Sequence, residues 1–170
     1  MSLARPQILG LAFAGAVFAL DQLVKWLMLG PLMLREVGVI EILPFFDLRW
    51  TENYGVSLGL FTAESETGRW ILVAVTAAIA VTVLVWLLRE RARADIAALA
   101  LVLGGALGNI ADRVRFGHVV DYADLHFGTF RPFLIFNIAD AAITIGVLII
   151  LATLLSREKR GVETDTAPES

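Results

Sequence analysis

The sequence predicts an all-α membrane protein with four transmembrane helices and a small β element. Of its 170 residues, 58% are hydrophobic and only 18% are charged, which is too apolar for a soluble domain of this size. A spanning helix needs about 20 apolar residues. Segments 8–29, 70–88 and 133–155 meet that requirement directly. We therefore predict one membrane domain over residues 1–155.

The remaining span, 96–115, is interrupted by polar residues. Its apolar run ends at Ala111, so the helix is long enough to cross the membrane only if it continues through Asp112 and Arg113. These polar side chains should therefore lie at membrane depth, close to one surface. This is the first indication of where a functional site is placed.

Loop charges predict the orientation, because cytoplasmic loops carry an excess of lysine and arginine. Basic residues occur before the first span, between the second and third spans, and after the fourth: Arg5, Arg89, Arg91, Arg93, Arg157, Lys159 and Arg160. We expect both termini to be cytoplasmic and residues 30–69 and about 116–132 to face outward. The polar segment 156–170 is predicted to be a disordered cytoplasmic tail.

The first outer segment, 30–69, is not featureless. Apolar and polar residues alternate around residues 46–51, which is the period of a half-buried strand. This pattern predicts a small sheet on the membrane surface, to which residues 119–127 add another extended piece.

Two aspartates, Asp121 and Asp140, each lie in a polar cluster beside a very apolar segment. An ionisable group within a membrane costs about 2.5–3.5 kcal/mol on insertion scales, so such groups are usually functional. The loop between them is long enough to fold back and bring the two carboxyls together. Such a pair shares one proton, and can activate water and polarise a carbonyl. A structural polar cluster or part of an ion pathway fits the spacing equally well.

Further polar residues share helix faces with this region. Asn109, Asp112 and Arg113 have i, i+3, i+4 spacing, and Asn137 lies three residues before Asp140. Arginine can pair with a carboxylate and keep it charged.

Asp21 and Lys25 have i, i+4 spacing late in the first span. One interpretation is an interfacial ion pair with a snorkelling lysine. The other is a carboxylate that positions another polar group. Gly104 and Gly108 have the spacing of close helix packing in lipid.

A metal site is the less favoured alternative. His118, Asp121, Asp124 and His126 form a possible set for zinc or iron. No helical His-Glu-x-x-His motif accompanies them, and the absence of cysteine excludes thiolate ligands, thiol catalysis and disulfides. We predict no metal and no organic cofactor. No basic block suggests nucleic acid as a partner.

Five segments together resemble a known family: DQLVK at 21–25, NYG at 53–55, GGALGNIADR at 104–113, GHVVDY at 117–122 and FNIADA at 136–141. In this order, with four spans, residues 8–155 resemble the bacterial lipoprotein signal peptidases, or signal peptidase II. The last three segments together are highly specific. Two positions differ from the usual pattern of the family. Leu58 stands where the family usually has an aromatic residue, and Tyr122 stands where it usually has phenylalanine.

The resemblance implies an intramembrane aspartic endopeptidase that removes the signal peptide from diacylglyceryl-modified prolipoproteins, just before the lipid-bearing cysteine. Asp121 and Asp140 match its catalytic pair. Other positions match supporting or substrate-binding residues: Asp21, Lys25, Asn53, Gly55, Gly105, Asn109, Asp112, Arg113 and Asn137. The family also has an outer β-cradle and a mobile outer helix, which would fall within 30–69.

The sequence thus predicts a monomeric inner-membrane peptidase whose site faces outward and whose partners are lipid-modified prolipoproteins and membrane lipids. The alternative is a proton- or ion-coupled carrier with an aspartate relay of Asp21, Asp112, Asp121 and Asp140. Carriers place polar groups near the bilayer midplane and often have internal repeats. Here the span 70–88 has no charged residue and no repeat is evident. A purely structural subunit would leave the asparagine–aspartate clusters unexplained.

The predicted orientation can be tested because the chain has no cysteine. An impermeant thiol reagent applied to intact cells should label the Glu64→Cys variant and leave Arg91→Cys unlabelled. The opposite pattern would invert the topology.

Overall fold

Four long helices and a three-stranded sheet make up residues 4–55 and 66–165, which the computed structural model describes. The elements in chain order are α1 (Arg5–Leu29), α2 (Leu34–Val37), β1 (Val39–Leu43), β2 (Phe46–Asn53), α3 (Glu66–Arg89), α4 (Arg93–Phe116), β3 (Val119–Leu125) and α5 (Ile138–Asp165). Helices α1, α3, α4 and α5 are each long and apolar enough to cross a membrane. The predicted fold class is confirmed.

Helix α4 is the centre of the bundle and packs against α1, α3 and α5. In an apolar 18-residue stretch of each helix, 56% of the α4 residues are buried but only 11% of the α3 residues. Large apolar side chains such as Leu9, Val75 and Leu151 remain exposed along the outer helices. An apolar outer surface is what a hydrocarbon solvent requires, so these faces are suited to lipid.

Glycines in α4 allow its neighbours to approach closely, as the spacing of Gly104 and Gly108 predicts. A Cβ atom on Gly104 would lie 2.6 Å from the backbone oxygen of Ala14 in α1, and one on Gly108 would lie 2.5 Å from Asp21 Oδ2. A Cβ on Gly105 would collide with the backbone of Ala139 in α5. Small residues in helix interfaces permit such approach in lipid. Consequently, α1 and α5 both contact α4 at one end of the bundle.

The sheet lies at that same end. Its strand order is β1-β2-β3 and both pairs are antiparallel. Strand β3 follows α4 directly, because Gly117 ends the helix with φ +85° and donates its N–H to Arg113 O. Val120 and Tyr122 pack with Met28 and Leu34 in an apolar cluster that fixes the sheet to the end of α1.

Helix α5 differs from the predicted span 133–155 at both ends. It begins only at Ile138, because the backbone of Phe136 pairs with Ala123 of β3. It continues to Asp165, so much of the segment predicted as a disordered tail is helical. The reason is that residues 154–160 are mostly strong helix formers and no proline occurs between Pro132 and Pro168. Residues 166–170 lie outside the described residues.

The outer segment 30–69 is described only in part. It contains the short helix α2 and strands β1 and β2, which form the predicted small sheet together with β3. Leu58 and the rest of 56–65 lie outside the described residues, so the predicted mobile outer helix stays a prediction.

Candidate active site

Asp121 lies in the middle of β3 and is only 1% exposed. Its carboxylate accepts two side-chain hydrogen bonds, from Asn137 Nδ2 at 2.7 Å and from Asn53 Nδ2 at 2.9 Å. Both donors favour the ionised carboxylate. Asn53 is itself held by a turn in which its Oδ1 accepts the N–H of Gly55, where φ is +96°. Gly55 therefore supports the donor and not the carboxylate directly.

Asp140 lies in the first turn of α5, where it forms a reciprocal cap with Asn137. The N–H of Asp140 donates to Asn137 Oδ1 at 2.9 Å, and the N–H of Asn137 donates to Asp140 Oδ2 at 3.2 Å. This is the geometry of a capping box, with aspartate in the place of the usual glutamate. Asn109 Nδ2 donates to the other oxygen, Oδ1, at 2.8 Å. The start of α5 thereby determines where this carboxylate points.

Asn137 connects the two carboxyls. Its Nδ2 group donates to Asp121 while its backbone N–H donates to Asp140, and it also contacts Asn109 Oδ1 at 3.3 Å and Val120 O at 3.2 Å. The side chain is buried, so these bonds do not compete with bulk water. The fold thus brings the carboxyls of Asp121 and Asp140 to the same residue, Asn137.

The surroundings of Asp121 raise the pKa of its carboxyl. Burial raises the pKa of Asp121 to about 6, although the hydrogen bond from Asn53 opposes the increase. The nearby charge of Asp140 raises it further. Asp121 therefore keeps its proton to a higher pH than an isolated aspartate would.

Lys25 lies buried between two carboxylates, so the interpretation in which its side chain snorkels to the interface is wrong. Its Nζ is 2.9 Å from Asp21 Oδ2 and 2.7 Å from Asp112 Oδ2, and the lysine is 2% exposed. A lysine with two anionic partners and an amide oxygen, Asn109 Oδ1 at 3.5 Å, does not need to reach solvent. The predicted ion pair of Asp21 and Lys25 is present.

The same carboxylates position the backbone next to the candidate pair. Asp21 Oδ1 accepts the N–H of Ala139 at 3.0 Å, and Asp112 Oδ2 accepts the N–H of Val120 at 3.1 Å. Ala139 immediately precedes Asp140, and Val120 immediately precedes Asp121. This geometry favours the interpretation of Asp21 as a carboxylate that positions other polar groups.

Arg113 approaches the site from α4. It is half-buried, its Nη1 donates to Asn109 O at 3.4 Å, and its charge interacts with Asp140, Asp121 and Asp112. Its Nε is buried and has no hydrogen-bond acceptor within the described residues. Arg115 is exposed and donates to Gln22 Oε1 at 3.1 Å. The two arginines therefore have different environments, as their spacing predicts.

The possible metal set does not assemble. Asp124 pairs with Arg49 at 2.9 Å and Arg131 at 3.1 Å, while His126 Nε2 lies 3.0 Å from Asp47 Oδ2. Across residues 4–55 and 66–165, no three potential ligands come close enough to hold an ion.

Sequence reasoning missed Gln22. Its Nε2 donates to Asp112 Oδ1 at 3.0 Å and to Asp21 Oδ2 at 3.2 Å, which completes the polar contacts between α1 and α4. Its partners Asp112 and Arg115 lie on α4, so spacing within α1 did not link Gln22 to them. Gly105, predicted as a supporting position, contacts the backbone of α5 at Ala139 instead of the carboxyls.

Comparison with known sequences gives a consistent result. A family model described as signal peptidase (SPase) II matches residues 13–156. The chain is 54% identical over 170 residues to the lipoprotein signal peptidase of Sphingopyxis alaskensis, covering 99% of this chain and 98% of the relative. It is 58% identical over 160 residues to that of Rhizorhabdus wittichii, covering 94% and 92%.

Two solved structures have the same fold. Both are bacterial membrane enzymes determined by the in meso method, one at 2.3 Å and one at 1.9 Å resolution. The first has a TM-score of 0.74 at 26% identity and covers 95% of this chain and 93% of its own. The second has a TM-score of 0.71 at 31% identity and covers 86% and 92%.

The titration of Asp121 provides a test of the site's electrostatics. In detergent, the infrared carbonyl band that Asp121→Asn removes should appear as the pH falls, with a midpoint near 6. Asn53→Ala removes a hydrogen bond to the ionised form, so the midpoint should rise by about one pH unit. An unchanged or lowered midpoint in Asn53→Ala would contradict the assigned role of Asn53.

Proposed function

Since the chain belongs to the signal peptidase II family, we propose that it removes signal peptides from diacylglyceryl-modified prolipoproteins by aspartic catalysis. The proposed cut is the peptide bond just before the lipid-bearing cysteine. The observation that carries the catalytic assignment is the pair of carboxyls, Asp121 and Asp140, held around Asn137.

In the proposed reaction, the ionised carboxyl takes a proton from water, and the resulting hydroxide attacks the scissile carbonyl carbon. The protonated carboxyl donates its proton to the carbonyl oxygen, which stabilises the tetrahedral intermediate. The carboxyl that took the proton from water then donates it to the amide nitrogen as the carbon–nitrogen bond breaks, and the other carboxyl takes back a proton from a hydroxyl of the intermediate, which restores the starting pair. The products are a peptide acid and an amine. The pKa of Asp121, raised to about 6, supports the step that uses a protonated carboxyl, because the protonated form of Asp121 then persists to a higher pH than that of an ordinary carboxyl.

The amides of Asn109 and Asn137 would keep the two carboxyls oriented throughout this cycle. Each donates to a carboxyl and is in turn held by another polar group. The function proposed for Arg113 is to bind a backbone carbonyl of the substrate. In support, its Nε is buried without an acceptor among the described residues and lies next to the carboxyl pair.

The placement of the site suits a lipid-bearing substrate. The protein is a multi-pass membrane protein of a plasma-membrane enzyme family, and the carboxyl pair lies at the sheet end of the helical bundle. We propose that this end faces outward, that both termini are cytoplasmic, and that the monomer is the active form. The lipid chains of the substrate would then remain in the bilayer while the peptide meets the sheet.

Replacing either carboxyl by its amide tests the proposed chemistry. Asp121→Asn and Asp140→Asn should each reduce hydrolysis of a lipidated precursor by about 10²–10⁴-fold, because an amide cannot transfer the proton. The assay uses purified protein in detergent with a metal chelator present, and wild-type activity should persist there.

Asp47→Asn is the matched control, since Asp47 lies on the same sheet but contacts His126 and not the pair. It should retain activity within about twofold. A near wild-type rate in either variant of the pair would refute the assignment, and loss of wild-type activity with chelator would favour a metal mechanism.

The two arginines at the end of α4 provide a second test. Arg113→Ala should lose more activity than Arg115→Ala, because the charge of Arg113 interacts with the carboxyl pair whereas Arg115 is exposed and contacts Gln22. Both variants are assayed at matched expression on one precursor. Equal losses, or a larger loss for Arg115→Ala, would show that Arg113 does not support the site.

A further inference from the structure

The end of the bundle opposite the carboxyl pair contains a groove between α1 and α4. Its volume is about 600 Å³. Both helices begin at this end, since Arg5 is the first residue of α1 and Arg93 the first of α4. The groove is therefore remote from the proposed active site, which lies at the other ends of the same helices.

Two arginines stand at the outer end of the groove. Arg5 and Arg93 both line it, and both are exposed. Neither has a carboxylate partner within the part of the chain that the structure describes. Arg157, at the same end, is instead paired with the buried Asp95. Glu90, also at this end, accepts the N–H groups of Arg91 and Ala92 and forms no ion pair with the groove arginines among the described residues.

Below the arginines the groove becomes apolar. Arg5, Leu9 and Phe13 have i, i+4, i+8 spacing on α1, and Leu9 and Phe13 are 59% and 42% exposed. On α4, Ala97 follows Arg93 by one turn. On both helices, the face that lines the groove thus begins with an arginine at the helix end and continues with apolar residues toward the middle of the bundle.

Gly10 of α1 and Ile96 of α4 line the groove where the two helices are in contact. A Cβ on Gly10 would lie 2.6 Å from Ile96 Cγ2, so α1 and α4 touch there and leave a channel on their outer side. From Arg5 to Phe13 this channel is about 12 Å long at 1.5 Å per residue. One leaflet of the hydrocarbon core is about 15 Å deep, half of the roughly 30 Å total. The dimensions suit one acyl chain.

We propose that this groove binds an anionic phospholipid, with the phosphate between Arg5 and Arg93 and one acyl chain along Leu9, Phe13 and Ala97. Arginine forms bidentate hydrogen bonds with phosphate, and basic pockets between transmembrane helices bind anionic head groups. A free phosphate would use only the arginines and leave the apolar channel empty. A zwitterionic lipid would fill the channel without net charge for the arginines to attract.

Native mass spectrometry of the purified full chain in neutral detergent tests this proposal. Phosphatidylglycerol and phosphatidylcholine with identical acyl chains are titrated, and the bound fraction of each is measured. Phosphatidylglycerol should bind more tightly. The double variant Arg5→Gln, Arg93→Gln should lose that binding by on the order of tenfold.

Arg89→Gln combined with Arg91→Gln is the matched control. It removes two exposed arginines from the same end but outside the groove, and should change affinity by less than about twofold. Ala97→Trp fills the channel while keeping both arginines, and should also weaken phosphatidylglycerol binding. Thermal unfolding verifies that each variant is folded.

Three results would overturn the proposal: equal losses in the two double variants, equal affinity for the two lipids, or full competition by soluble glycerol phosphate. The first would indicate general electrostatic attraction, and the third a head-group site without a chain site. Because the measurement is binding and not hydrolysis, its outcome is independent of the proposed peptidase mechanism.

Discussion

The site depends on the burial of one lysine between two aspartates. Removing an ammonium and two carboxylates from water is costly unless their remaining hydrogen-bonding groups are satisfied. Here Lys25 contacts both carboxylates, and Asp21 and Asp112 use further lone pairs to accept N–H groups at the start of α5 and in β3. A single ionic cluster therefore determines the relative position of three helices and a strand.

The ionic cluster also positions the proposed catalytic carboxyls, Asp121 and Asp140. Each carboxyl follows a residue whose backbone the cluster holds, and the amides of Asn109 and Asn137 link the carboxyls laterally. Close packing through the α4 glycines makes this possible, because side chains larger than hydrogen at Gly104 or Gly108 would separate α1 from α4. Precision at the site thus comes from rigid helix contacts and not from the loops that connect them.

Hydropathy and motif spacing predicted most of this arrangement. The four spans follow from runs of apolar residues, and the polar side chains of the site share helix faces that can be read from i, i+3 and i+4 spacing. The burial of Lys25 could not be predicted in this way, because its second partner, Asp112, lies on a different helix. Spacing within α1 identifies only Asp21 as a partner of Lys25, so a lysine that snorkels to the interface remained an alternative interpretation.

The start of α5 shows a similar limit. Residues 133–137 are mostly apolar and look like the first turn of a span, but the backbone of Phe136 is engaged by β3 and Asn137 forms the cap. Tertiary pairing here overrides a local pattern. Gln22 escaped notice for the related reason that its partners are defined by the packing of α1 on α4.

Asp140 has two roles, one in the capping box at the start of α5 and one in the proposed reaction. As the second member of the capping box it accepts the N–H of Asn137, and as a proposed reactant it must also present an oxygen to the substrate. Few side chains satisfy both, since glutamate would extend the reactive oxygen by one methylene and alanine would leave the N–H of Asn137 without this acceptor. One side chain is therefore asked to meet two geometric requirements, one from the start of the helix and one from the proposed reaction.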